Sequence, residues 1–188
     1  LESQPEISIK TYARDLGTFV LGDSLEAKDT LGILSRVKFG TLGGVNKIKF
    51  EDASFDLSTA QLTDLNAHKN LITADEYILI RANMDDRDIL LKAKAMFEGE
   101  AEWSDQKLGD LLNKHQQNLR EHKRISTPKI DRMIHASLKA GALGAKINGS
   151  GGGGCMFAYA PENPEKVVEA IEKEGGKAYI IRVDQGTK

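Results

Sequence analysis

The run from Gly149 to Gly154 holds five glycines in six positions and is the stretch of this 188-residue chain best suited to chemistry. Glycine loses more conformational freedom on folding than any other residue, so the run carries a free-energy cost that an ordinary hairpin does not need. Successive N–H groups with no side chains in front of them form a concave anion site. The run predicts binding of phosphate, or of charge developing on a transferring phosphoryl group. A tight hairpin without a ligand is the alternative.

Two familiar phosphate motifs do not fit the run. Its glycines at 149, 151 and 154 satisfy Gly-x-Gly-x-x-Gly, but a dinucleotide-binding loop opens a helix, whereas Cys155 to Ala160 is a β-type run. A nucleotide P-loop needs Lys and then Ser or Thr after its last glycine, and this chain has Cys155 and Met156 there. Both motifs are therefore excluded. The β-type run after the loop predicts that the loop leads into a strand.

The elements that must position this loop follow from apolar periodicity. Residues 145–148 and 155–160 are expected to be strands on either side of it, followed by a helix over 164–174 and a strand over 178–183. Earlier in the chain, strands are expected over 7–12 and 18–22. Such a pattern predicts an α+β fold, with a small, mostly antiparallel sheet and helices on one face.

Helical spacing predicts the remaining elements. A short helix over 30–37 is expected to end at Gly40, Gly43 and Gly44, and another is expected to start at Ser58. A long helix is expected over 74–97. Ser104 is the candidate N-cap of the next helix, and the sequence Ser-Thr-Pro at 126–128 opens the one after it.

The composition restricts the class of protein. A formal net charge of -2 disfavours nucleic acid or an anionic membrane surface as a partner. The single cysteine cannot form an internal disulfide, and no His and Cys spacing fits a metal site. No stretch has the apolar length of a membrane span or the pattern of a secretory signal. A cytoplasmic location is therefore expected. The chain starts without Met, which suggests that residues precede it.

A few other polar residues could do chemistry. His115 is expected to be a hydrogen-bonded packing residue rather than a base, and Cys155 a small core residue rather than a nucleophile. The acidic residues at 85, 86 and 88 are expected to be solvated and not to bind metal. Arg36 and Arg120 are candidates for organising the loop region, because guanidinium groups bind carboxylates and phosphates well.

Three stretches resemble one known family. Residues 146–155, KINGSGGGGC, resemble the third signature motif of the GHMP kinases. Residues 114–121, KHQQNLRE, and 125–131, ISTPKID, resemble the galactokinase pattern of a Ser-His pair, Ser-Leu-Arg-Asp and Val-Ser-x-Pro-Glu-Leu-Asp. Lys114, Glu121 and Ser150 depart from it, since the family usually has Ser, Asp and a small Ala or Gly at these places. These departures weaken the prediction that the substrate is galactose.

The resemblance implies the ferredoxin-like C-terminal domain of such kinases over residues 71–188, with extra helices. Residues 1–70 would then be the remainder of the inter-domain region with an early strand and helix. In the implied site the glycine loop, formed by Gly149, Ser150, Gly151, Gly152, Gly153 and Gly154, faces substrate and phosphates. Ser24 and Thr30 are the candidate residues on the substrate side.

The resemblance also implies a function. The intact protein would transfer phosphate from ATP, with Mg²⁺, to a sugar hydroxyl, and the anomeric hydroxyl of galactose is the first choice. A heptose, fucose or mevalonate-type substrate is the near alternative, and a non-catalytic sensor of sugar and ATP is another. The family's serine-rich phosphate motif and catalytic aspartate are not in this chain. It therefore carries no catalytic residue, would need the missing N-terminal half of the kinase, and is expected to be inactive alone.

Overall fold

The computed structural model describes residues 10–12 and 14–184. Its strands are β1 (Thr18–Asp23), β2 (Gly144–Ile147), β3 (Cys155–Tyr159) and β4 (Lys177–Arg182). Its α-helices are α1 (Thr30–Leu34), α2 (Gly40–Glu51), α3 (Leu62–Ala67), α4 (Ala74–Glu98), α5 (Asp105–Glu121), α6 (Pro128–Lys139) and α7 (Pro164–Lys173). A π-helical turn (Ser35–Phe39) joins α1 to α2, and a 3₁₀ turn (Lys69–Leu71) follows α3. None of the described helices is both long and apolar enough to cross a membrane.

The four strands form one antiparallel sheet in the order β2-β3-β1-β4. Val20 in β1 lies opposite Ala158 in β3 and Ile180 in β4. On this face Val20, Met156 and Ala158 are completely buried, and they pack with α6 and α7 through Met133 and Ile171. The predicted α+β fold with a small antiparallel sheet is confirmed.

Helix α5 covers the open edge of β2. The Asn113 side chain accepts a hydrogen bond from the Ala145 N–H at 3.0 Å and donates to the Leu143 carbonyl at 3.0 Å. The Gln116 side chain accepts from the Ile147 N–H at 2.8 Å. These side chains satisfy backbone groups that an edge strand would otherwise leave unpaired, so α5 replaces a fifth strand.

The capping signals of two helices are confirmed. Ser104 accepts a hydrogen bond from the Lys107 N–H at the start of α5, and Thr127 accepts one from the Ile130 N–H at the start of α6. Pro128 takes the first position of α6, where its missing N–H is not needed. The strands and helices after residue 140 agree with the prediction to within a residue or two at each end.

Two helix predictions are wrong. The chain does not leave the helical conformation at Gly40, Gly43 and Gly44, because α2 runs through all three. A Cβ at Gly44 would lie 2.8 Å from the Ile80 Cδ1 and 3.0 Å from the Glu76 Cβ, so this glycine permits close packing on α4. The helix expected at Ser58 begins at Leu62 instead, capped by Gln61 and Asp64.

The structure does not test two further expectations in full. The strand expected over 7–12 lies mostly outside the described residues, and residues 10–12 are not in a strand. The domain boundary expected at residue 70 stays a prediction. The sheet nevertheless takes its central strand β1 from the segment before that boundary.

We expect Gly109→Ala to destabilise the fold, because α5 and β2 touch there through backbone atoms. A Cβ at Gly109 would overlap the Leu143 carbonyl oxygen and lie 2.6 Å from its carbon. The free energy of unfolding should fall by about 1–3 kcal/mol in urea titrations, the usual cost of overpacking.

Gly43→Ala is the matched control, because it also lies inside a helix but its Cβ would meet only the Glu76 Oε1 at 3.4 Å. It should be neutral, or stabilising by at most about 1 kcal/mol. Equal effects of the two substitutions would contradict the backbone contact.

Candidate functional site

The glycine loop, residues 149–154, connects β2 to β3. Its five glycines have φ between +71° and +116°. In the left-handed region a residue with a Cβ is disfavoured by about 1–2 kcal/mol. The backbone of the loop therefore favours glycine at these five positions, whatever the loop binds.

The loop is held between two segments of backbone. One is the β1 exit segment, residues 24–29, where the Gly154 N–H donates to the Glu26 carbonyl at 3.1 Å and the Asp29 N–H donates to the Gly152 carbonyl at 3.3 Å. On the other side the Gly152 N–H donates to the Ile125 carbonyl at 2.7 Å. Gly151 and Gly153 are buried in this arrangement. The Ser24 N–H also donates to the Gly154 carbonyl at 2.8 Å, so four backbone hydrogen bonds hold the loop on its neighbours.

The two segments that hold the loop contain left-handed residues other than glycine. Leu25 has φ +59° and Arg124 has φ +50°. The Arg36 side chain donates to the carbonyl oxygens of Lys123 and Arg124, directly before Ile125. Arg36 therefore lies where it can organise the loop region. Arg120 instead forms an exposed ion pair with Glu121 at 3.0 Å.

The two candidates on the substrate side lie at different depths. Thr30 is half-buried, and its Oγ1 lies 3.3 Å from the Ser150 Oγ, so the structure brings it to the glycine loop. Ser24 is completely buried, and its Oγ accepts a hydrogen bond from the Glu26 N–H at 3.3 Å. A role in binding substrate stays a prediction for both residues.

A chain of polar side chains behind the loop was not anticipated from the sequence. Gln116, which binds the Ile147 N–H, also donates to the Ser126 Oγ at 3.2 Å. Ser126 in turn donates to Asp131 at 2.7 Å, and Thr127 donates to the Glu26 carboxylate. The polar residues of the stretch 125–131 thus link α5, α6 and the β1 exit segment around the loop. The stretch was recognised as a motif, but its partners depend on the tertiary fold.

Asp86 lies in a second polar cluster, between α4 and α5. Its carboxylate is 16% exposed and accepts hydrogen bonds at 2.6 Å each from the Lys123 ammonium and the Asn118 amide, with the His115 Nε2 at 3.4 Å. Asn83 completes the cluster, because its Oδ1 accepts from the Lys123 ammonium at 3.0 Å. The expectation that Asp86 is solvated is therefore wrong, whereas Asp85 and Asp88 are about half exposed. His115 has the hydrogen-bonded packing role expected of it.

The segment that builds most of this site is similar to a known family. Residues 104–177, which include α5, α6, the glycine loop and α7, match the family described as GHMP kinases C terminal. This part of the chain is therefore similar to the C-terminal domain of GHMP kinases.

Mevalonate kinases are among the curated proteins that are similar to this chain. The protein of Thermococcus onnurineus is 48% identical over 65 residues, which are 34% of this chain and 20% of the relative. That of Pyrococcus abyssi is 42% identical over 79 residues, which are 42% of this chain and 23% of the relative. The matched part thus spans less than a quarter of the length of these proteins.

Solved structures of two kinases share the fold of this chain. Lactococcus lactis galactokinase, complexed with galactose, superposes with a TM-score of 0.74 at 20% identity, covering 87% of this chain and 44% of that one. L. major mevalonate kinase, in complex with R-mevalonate, gives 0.61 at 19% identity, covering 95% and 46%. At this identity the likeness shows the fold, and it extends beyond residues 104–177.

Lys146 and Cys155 lie on the two strands that the glycine loop connects. The Lys146 ammonium donates to the Ile147 carbonyl at 2.9 Å and lies 5.2 Å from the Phe157 ring centre. Burial lowers the pKa of Lys146 below its ordinary value, although the charge of Asp86 opposes this shift. Cys155 is partly buried at the start of β3, next to the loop. Within the described part of the chain, no three His, Cys, Asp or Glu residues are grouped to hold a metal ion.

We expect Gly151→Ala to displace the glycine loop. The residue has φ +83°, and a Cβ there would lie 2.5 Å from the Ile125 carbonyl oxygen. Amide chemical shifts of residues 149–154 should change, while the free energy of unfolding falls by about 1–3 kcal/mol. Gly141→Ala is the control, because it has φ +104° but its Cβ would have no neighbour within 4 Å. If both variants leave the loop resonances in place, the seating on Ile125 is wrong.

We expect Asp86→Asn to destabilise the fold by about 3 kcal/mol, because it leaves the Lys123 ammonium buried without a counter-charge. Burial alone would raise the pKa of Asp86, but hydrogen bonds from His115, Lys123 and Asn118 outweigh it and lower the pKa below its ordinary value.

The lowered pKa of Asp86 fixes the direction of the pH dependence. Its stabilisation is complete above the unfolded pKa of about 4, and it is lost as the pH falls from there through the lower folded pKa. Urea titrations from about pH 7 down to about pH 2 should show a loss of stability below the unfolded pKa that Asp86→Asn removes in part. Asp85→Asn, at an exposed neighbour, should retain the wild-type profile; the same loss in both variants would contradict this account.

Proposed function

We propose that this chain is the C-terminal part of an ATP-dependent kinase that phosphorylates a hydroxyl group of a small molecule. The observation that supports this most is the strand-loop-strand glycine loop, held open by the β1 exit segment and Ile125, within a GHMP kinase domain. Phosphoryl transfer needs positioning and charge stabilisation more than covalent chemistry from the protein. A preorganised loop of backbone donors is suited to that task.

ATP fits the residues at the loop tip. Gly149 and Ser150 lie at the surface of the loop, and their N–H groups have no acceptor in the described part of the chain. Such N–H groups can donate to phosphate oxygens. We assign no Mg²⁺ ligand to the described residues. In the proposed enzyme, ATP phosphates and the upstream half would hold Mg²⁺, which would neutralise phosphate charge during transfer.

The upstream half is the proposed partner within the same protein. It would supply the main phosphate cradle and the catalytic aspartate. Apolar side chains are uncovered on α1 and on the π-helical turn that follows it: Leu31 is 80% exposed and Phe39 is 64% exposed. Burying them against the rest of the kinase would stabilise the assembly by about 25 cal/mol for each Å² removed from water.

Two substrates are supported by different observations. Galactose, phosphorylated at its anomeric hydroxyl, is supported by the pattern of residues 114–131 and by the TM-score of 0.74 with a galactokinase. Mevalonate is supported by the identity of 42–48% with curated mevalonate kinases over 65–79 residues. The residues that would discriminate between them lie largely in the upstream half, so both substrates belong in the same assay.

We expect the 188-residue chain alone to release no ADP above the ATPase background with galactose or with mevalonate. The reason is that phosphoryl transfer loses its charge stabilisation without the upstream phosphate cradle. A coupled assay for ADP measures this directly. Robust turnover by the chain alone would contradict its proposed incompleteness.

The same chain extended upstream to the length of its relatives is the matched sample. It should release ADP with one of the two substrates and little with the other. Binding of ATP and sugar without turnover would favour a sensor over an enzyme. Failure to bind ATP would contradict the proposed function.

A further inference from the structure

Lys28 lies along the glycine loop. A Cβ built on Gly154 would overlap the Cε of Lys28 and lie 3.1 Å from its Cδ. A Cβ on Gly149 would lie 3.4 Å from its Nζ. The aliphatic part of Lys28 therefore occupies the space that a side chain at Gly154 would fill. Its ammonium reaches the tip of the loop beside Gly149.

The ammonium of Lys28 has no partner among the described side chains and backbone groups. Within the described residues it makes no hydrogen bond and no ion pair. The carboxylates on the same segment have other partners, since Asp29 accepts from the Gly32 N–H at 3.0 Å and Glu26 accepts from Thr127. The lysine on the strand before the loop, Lys146, is already bonded to a carbonyl. Lys28 therefore brings to the loop tip an ammonium group that has no direct hydrogen-bond or ion-pair partner among the described residues.

Other donors converge on the same place. The N–H groups of Gly149 and Ser150 have no acceptor in the described chain, and the hydroxyl groups of Ser150 and Thr30 lie 3.3 Å apart. Backbone N–H groups, hydroxyl groups and an ammonium together match the oxygens of a phosphate, and hydrogen bonds between charged groups are the stronger kind. A lone exposed lysine would not indicate a site. Lys28, however, lies beside a glycine loop whose tip presents unpaired backbone N–H groups.

We propose that Lys28 is a positioning residue that binds a phosphate group at the tip of the glycine loop. The proposal rests on the proposed function and deepens it, because the group bound is the phosphoryl group that the kinase would transfer. Lys28 supplies charge and hydrogen bonds there and transfers no proton. The neighbouring Thr30 and Ser150 hydroxyl groups orient the same phosphate.

Phosphate binding to the 188-residue chain tests this proposal. Sodium phosphate is titrated at constant ionic strength while amide chemical shifts of Gly149 and Ser150 are followed. Lys28→Met keeps the aliphatic chain without the charge and should weaken binding about tenfold, the loss of one charge-assisted hydrogen bond. Lys28→Arg should restore most of the affinity.

A control variant distinguishes the loss of the Lys28 charge at the loop from the loss of one positive charge elsewhere on the protein. Lys166→Met removes an exposed lysine on α7 and should leave the affinity unchanged. Unchanged amide shifts outside the loop will show that the variants are folded. Equal affinity of wild type and Lys28→Met, or absence of saturable shifts in the wild type, overturns the proposal. Shifts of equal size with sodium acetate overturn the assignment to phosphate.

The failure of the proposed function would look different. If the extended protein transfers no phosphate but the loop still binds phosphate through Lys28, the site stands and the kinase proposal fails. If it is an active kinase and Lys28→Met changes neither kcat nor KM, the Lys28 proposal fails alone. A raised KM for ATP that Lys28→Arg restores supports both.

Discussion

The close contact between α5 and β2 is the constraint on which the rest of the structure depends. Gly109 and Gly144 let the helix backbone approach the strand until no side chain fits between them. Asn113 and Gln116 can then reach the free edge of β2. Helix α5 covers the β2 edge of the sheet, and its end fixes the position of the segment that follows it. Because Ile125 lies in that segment, the contact also sets the position of one of the two supports of the glycine loop.

The glycine loop gains its shape from these supports rather than from flexibility. Its glycines occupy left-handed conformations, and the carbonyls of Glu26 and Ile125 fix two of its N–H groups. The conformational cost of ordering the loop is therefore met during folding, before any ligand arrives. A loop ordered in advance binds with a smaller loss of entropy and can present donors to a transition state without rearranging.

The sequence predicted what depends on local pattern and missed what depends on packing. The strands beside the loop and the helix starts at Ser104 and Thr127 follow from alternation and capping, which are local. Gly40 and Gly44 were expected to end a helix because glycine has low helix propensity. Their contacts with Leu79 and Ile80 on α4 outweigh that propensity. Asp86 looked like part of a solvated acidic run, since nothing local shows that Lys123 will lie against it.

The place of β1 in the middle of the sheet has a consequence for synthesis of the protein. Its two neighbours, β3 and β4, lie more than 130 residues further along the chain. Closing such long loops is slow, because their entropy is lost before the pairing is gained. On a ribosome adding about 5–20 residues each second, β1 must wait roughly 10–30 seconds for β4. During that interval Phe19, Val20 and Leu21 have no strand to pair with, so the nascent chain is a natural client for a chaperone.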